Sequence, residues 1–162
     1  MKQSIQAGFD FGNGFGKQMT VDFAGPTVTS DGGLLLLKQT EMKLNLLSRL
    51  ALCFRDARDP TRVQHSVAEL LSQRVFGLAL GYEDLNDHDR LRHDPLLGAM
   101  AGKTDQRASL AGKSTLNRLE LSTEEVTRYK KISCDTAAID RLLVDVFLEA
   151  HSVAPAQNCP QS

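Results

Sequence analysis

Between Ser66 and Gly81 the sequence specifies one helix from cap to stop, and no other segment constrains the fold as much. Ser66 can accept from the backbone three residues on while Glu69 reaches back, the reciprocal pairing of a capping box. Val67, Leu70, Leu71, Val75 and Leu78 then recur on one face of a 3.6-residue period. Gly81 is placed to end the helix. A helix with one apolar stripe must bury it against other elements, so the rest of the chain has to supply them.

The flanking segments offer more helices. Leu34, Leu37 and Glu41 to Leu44 continue one, with Asn45 able to end it in left-handed backbone. Leu46, Leu47, Leu50, Ala51 and Phe54 make a second stripe, so helix is expected over most of Leu34 to Phe54. Tyr82 to Pro95 is polar with short helical turns at most, and Leu96 to Ala101 reads as a short helix. Ser114 can cap a helix carrying Leu116 and Leu119, and Ser122 with Glu125 offers another capping box. Ile139, Leu142, Leu143, Val146 and Ala150 complete a helical stretch from Thr123 to Ala150, continuous or broken near Ser133 to Asp135.

Strand signals are confined to the N-terminal side. Met19, Val21 and Phe23 alternate with polar residues, and a turn at Ala24-Gly25 leads to Pro26 to Thr29, a small hairpin. The expected fold is therefore mainly α with a small N-terminal β-hairpin. Residues 1–17, rich in Gly, read as a flexible leader, 18–151 as one mostly helical domain, and 152–162 as a disordered tail.

Composition excludes several classes. With 19 Lys and Arg against 20 Asp and Glu, the 162-residue chain is not a globally basic nucleic-acid binder, so any such affinity must be local. No apolar run spans a membrane, and Met1 to Asp10 lacks an apolar signal core. Cys53, Cys134 and Cys159 are odd in number and far apart, which fits a reducing cytoplasm and no zinc site.

Several motifs invite chemistry. Gly102-Lys103-Thr104 and Gly112-Lys113-Ser114 lack the earlier glycine of a phosphate loop, so they read as loop or helix-cap glycines. Gly12-Asn13-Gly14-Phe15-Gly16 lacks dinucleotide-fingerprint spacing. Glu83, Asp84, Asp87, Asp89 and Asp94 lie near His88 and His93, but Arg90 and Arg92 neutralise them locally, so a solvated, salt-bridged connection is favoured over a metal site. Arg55, Arg58, Arg62 and Arg74 carry planar forks suited to phosphate, and equally suited to Asp56, Asp59 and Glu69. Lys113, Arg118, Arg128, Lys130 and Lys131 form a second basic segment, where two short helices could make a helix-turn-helix or only a helical hairpin in an all-α core.

Three blocks carry a family resemblance. They are Ser30-Asp31-Gly32-Gly33 with the leucines after it, Arg55-Asp56-Ala57-Arg58-Asp59-Pro60 running on through Gly81-Tyr82-Glu83-Asp84-Leu85-Asn86-Asp87 to His93-Asp94-Pro95, and Ser114-Thr115-Leu116-Asn117-Arg118-Leu119-Glu120. From about Val21 to His151 the chain resembles the N-terminal region of IS1380-type bacterial insertion-sequence transposases of the DDE group. The resemblance implies cut-and-paste DNA transposition, binding to terminal inverted repeats, and an RNase H-like core whose three acids hold Mg2+ in the full-length family.

The family's first catalytic block should follow His151, and Ser152 to Ser162 does not match it. No catalytic or metal residue is therefore assigned, no cofactor is expected in this chain, and the RNase H-like core is expected to be missing. The expected function is a transposase N-terminal fragment that binds DNA without catalysis. Its phosphate contacts would be Arg55, Arg58, Arg62, Arg74, Lys113 and Arg118. The alternative is a helical interaction module that associates with itself or with full-length transposase, as an inhibitor, through the Ile139 to Ala150 stripe. No membrane partner is expected.

Overall fold

The computed structural model describes residues 31–103, 105 and 108–152, together with the backbone of Phe9–Asp10 and Thr20–Val21. The fold is mainly helical, with a small two-stranded antiparallel hairpin at the N-terminal side, as expected. In that hairpin β1 (Phe9–Asp10) pairs with β2 (Thr20–Val21). β2 lies in the alternating segment, but its partner comes from the stretch read as a leader. The proposed second strand, Pro26 to Thr29, lies outside the described residues.

Helix α1 (Leu34–Leu44) ends at Asn45, whose φ of 51° is the left-handed backbone its short amide side chain tolerates. The chain then restarts as α2 (Leu46–Ala51), with the Glu41 carboxylate accepting from Leu47 N at 2.8 Å across the kink. Helix does not continue to Phe54. Leu52 and Cys53 turn, and β3 (Phe54–Asp56) pairs antiparallel with β4 (Ile132–Cys134). Backbone bonds from Ala57 N to Lys131 O and from Asp135 N to Cys53 O, both 2.8 Å, extend the ladder at each end.

That ladder explains why the long C-terminal helix starts late. Helix was expected from Thr123, but α7 spans Thr136–Ser152. Residues 132–134 give their backbone groups to β3, and Thr123 bridges to Ser133. The Ser122–Glu125 capping box does not form. Instead Asp135 accepts from Ala138 N at 2.8 Å at the head of α7. The helix-turn-helix is excluded by the same fact, because no helix follows α6 (Lys113–Glu120) before β4. Ser114 does not cap α6 either, since Gly112 holds the N-cap position and leaves Ser114 inside the helix.

Helix α3 (Val67–Ala79) is the centre of the molecule, and its capping box forms in full, with Glu69 N to Ser66 Oγ at 3.1 Å and Ser66 N to Glu69 Oε2 at 2.9 Å. Two apolar cores meet on it. Phe76 belongs to one, with Leu34, Leu35, Leu47, Leu91 of α4 (His88–Leu91), Leu97 and Met100 of α5 (Pro95–Met100), and Leu110. Leu70 and Leu71 belong to the other, with Ala111, Leu116, Leu119 and Ile132. Leu78, placed on the buried stripe by spacing, is exposed, whereas Gln73, Phe76 and Gly77 are buried. The true face is turned toward Gln73, because a polar group there has partners.

Between the two cores Gln73 is 1% exposed and His88 is 0% exposed, too little for water to serve either side chain. Ala111 fixes the amide: its N–H donates to Gln73 Oε1 at 3.0 Å, and Gln73 Nε2 donates to Ala111 O at 2.8 Å. The second N–H of Nε2 then faces His88 Nδ1 at 3.2 Å, so Nδ1 is the acceptor and the imidazole is neutral with its proton on Nε2. A β-carbon at Gly77 would stand 2.8 Å from the His88 ring, so only glycine admits the imidazole. His88 was read as part of a solvated connection. Its neighbours Asp84, Asp89 and Asp94 are exposed or half-buried, but the imidazole turns inward beneath α3.

Burial first, then the charge of Arg74, pushes the His88 pKa below its ordinary value. Burial first, then Lys103, does the same at His65. The unfolded chain therefore takes up these protons before the folded one. Stability is complete above about pH 6.5 and falls as pH drops below it. The carboxylates held low by hydrogen bonds, Asp56, Asp84 and Asp89, contribute their losses only further into acid. Melting temperatures measured from pH 7.5 to 5 should decline below 6.5, and a flat profile would contradict a neutral buried His88.

Candidate nucleic-acid interface

A groove lined by basic side chains runs between the segment after β3 and the outer face of α6. It is an open trough of about 400 Å³ lined by Arg58, Arg62, His65, Thr115, Arg118 and Lys131, with Asp59 as its one acid. Two elements set its shape. The tie between Ala57 N and Lys131 O brings Lys131 to the loop that carries Arg58. The Asp59 carboxylate accepts from Thr61 N at 3.0 Å and Thr61 Oγ1 at 2.8 Å, capping a 3₁₀ turn over Pro60–Arg62 that projects Arg62. Leu116 and Leu119 bury the opposite side of α6, which leaves Arg118 facing out.

The cations differ in freedom. Arg58 is a strut: Nε and Nη2 donate to Asp56 at 2.8 and 2.6 Å, and Nη2 also donates to His65 O at 2.9 Å. Arg62, Arg118 and Lys131 are exposed, and none has an acidic partner among the described residues. Unpaired cations around a concave surface raise the local positive potential in a chain whose net charge is only −1.

The six residues singled out in sequence divide evenly. Arg58, Arg62 and Arg118 gather in the groove, while Arg55, Arg74 and Lys113 do not. Arg55 lines a separate cleft with Cys53, Glu124, Cys134 and Asp135. Arg74 ties three elements together, donating to Glu120, to Tyr82 O at 3.0 Å and to Glu83 O at 2.9 Å. Lys113 donates to Asn86 Oδ1 at 2.9 Å and lies 3.3 Å from Asp89. Lys131 joins the groove although sequence placed it in a helix. Sequence did include it in the second basic segment, but its place beside Arg58 depends on the β3–β4 pairing.

The remaining motifs are structural. Gly112 is the N-cap of α6, and Gly102, at φ +99°, follows the end of α5. Lys103 pairs with Glu69 at 3.2 Å. Asp84 and Asp94 accept from Asn86 N and Leu97 N, both at 2.8 Å, as helix caps. No group of three His, Cys, Asp or Glu side chains among the described residues is placed to hold a metal ion. The described residues therefore do not fit the Mg2+ site of a DDE centre. No helix among them is long and apolar enough to cross a membrane.

No curated protein and no solved structure matches the chain. A family model, that of the transposase DDE domain, group 1, matches residues 11–158, which takes in the groove, both apolar cores and all of α7. The chain thus belongs to the DDE-domain transposase family and to the machinery of transposition.

Proposed function

We propose that the chain is the DNA-associating part of an IS1380-type bacterial transposase and that it acts in the cytoplasm. Its basic groove takes the phosphate backbone of the element's terminal inverted repeats. The observation that carries this reading is the meeting of Arg62, Arg118 and Lys131, three cations from three separate segments with no acidic partner among the described residues, around one trough. Guanidinium groups offer the bidentate geometry that phosphate oxygens accept, and backbone contacts of this kind position a duplex without reading its sequence. Arg58 supports the groove from its bond to Asp56 and adds charge beside it.

Gel-shift titrations on terminal-repeat duplexes and on random duplexes, each at several salt concentrations, test the reading. Arg62→Ala, Arg118→Ala and Lys131→Ala should each flatten the salt dependence of binding by about one unit. Arg74→Ala and Lys113→Ala should leave that slope unchanged, because both groups serve intramolecular partners. Equal slopes for all five variants would remove the groove as the DNA site.

A further inference from the structure

Helix α7 has two apolar faces, and the described residues cover only one. Leu142 is buried, Ile139 and Val146 are half-buried, and Glu149 pairs with Arg49 of α2 at 2.8 Å, so this side lies against the body of the protein. Leu143, Val144, Phe147 and Leu148 point elsewhere and are 53, 57, 59 and 58% exposed. Four large apolar side chains side by side on two turns form a patch of the kind that marks an interaction surface. Asp140 and His151, both exposed, stand at its two ends.

We propose that this face is covered by α7 of a second copy of the chain, the two helices running antiparallel about a two-fold axis between residues 145 and 146. Asp140, Val144, Phe147 and His151 are spaced four, three and four apart, the a/d spacing of a two-helix seam. A two-fold interface must be self-complementary, and this one is. The axis sets Val144 against the partner's Phe147, packs Leu143 and Leu148 on the flanks, and sets Asp140 against the partner's His151 at both ends. Parallel helices would instead oppose Asp140 to the partner's Asp140 and His151 to the partner's His151, so charge selects the antiparallel pair. The ring of His151 is held at the end of this seam: its Nδ1 donates to Phe147 O at 2.8 Å. Its ring also rests on Phe147, with centroids 4.0 Å apart.

A seam this short buries on the order of several hundred Å² per copy, the small end of specific interfaces, so a reversible dimer is expected. The groove lies on other elements, so self-association and DNA binding are separable.

Sedimentation equilibrium on the purified full chain, with far-UV circular dichroism and melting of each variant as controls of folding, tests it. The chain should pass from monomer to dimer with concentration. Phe147→Ala should weaken association at least tenfold. Asp140→Lys and His151→Glu should each weaken it severalfold, and the two together should restore it, because the exchanged charges again face each other. A chain that stays monomeric at the highest concentrations, or a dimer indifferent to Phe147→Ala, overturns the proposal. Failure of the double variant to recover overturns the antiparallel register.

Discussion

Replacing Gln73 with leucine should cost the fold about 3–5 kcal/mol, among the largest losses a single substitution produces. Leucine fits the apolar surroundings, since Leu70 and Phe76 flank the site on the same helix and both are buried. The loss arises from what is left behind. Ala111 N and Ala111 O lose their partners at 3.0 and 2.8 Å, and His88 Nδ1 loses the amide at 3.2 Å, all without access to water. An orphaned buried polar group costs about 1–3 kcal/mol, and three are created together. His88 Nε2 has no partner among the described residues either, so turning the ring only exchanges one orphaned nitrogen for the other. Urea unfolding monitored by circular dichroism measures the effect. Adding His88→Leu to Gln73→Leu should cost less than the sum of the two single changes, because they break one network. A Gln73→Leu protein within 1 kcal/mol of the original would show that the network contributes little.

The same residue shows where sequence stops being informative. The capping box at Ser66 and Glu69, the left-handed turn at Asn45 and the stop at Gly81 were legible because each depends on residues within one helical turn. Gln73 was not, because its partners are the backbone of Ala111, 38 positions away, and His88, 15 away. Without them an amide on an apolar face reads as a break in the stripe, which is why spacing favoured Leu78 over Phe76. The β3–β4 pairing failed to show for a similar reason. Phe54–Asp56 and Ile132–Cys134 are three residues each, too short for a period-two pattern to emerge, and only their meeting defines them.

The candidate site divides along the same line. Spacing found the basic segments, but which cations are free depends on tertiary partners. Arg74 and Arg62 look alike in sequence, yet one is saturated by Glu120, Tyr82 and Glu83 and the other faces open solvent. The stripe on α7 was read as Ile139, Leu142, Leu143, Val146 and Ala150, of which Ile139, Leu142 and Val146 turn inward while Leu143 and Ala150 are exposed. Phe147 and Leu148, the largest exposed members, fell outside it.

Reversing two of the free cations, Arg62→Glu with Arg118→Glu, should reduce duplex affinity at least a hundredfold at low salt. Each change removes one cation from the path of the phosphates and puts a carboxylate in its place, so attraction is lost and repulsion added at two points of the trough. The slope of log affinity against log salt should fall by about two units or more, and the loss should shrink as salt rises, because screening weakens both contributions. Fold stability should change little, since both side chains are exposed and neither has an acidic partner among the described residues. The informative control is Lys43→Glu with Arg90→Glu, the same change in net charge on exposed residues outside the groove. If affinity merely follows net charge, the two double variants weaken binding alike. If the groove holds the duplex, only the first loses it, and a control that binds as weakly as the groove variant would refute a localised site.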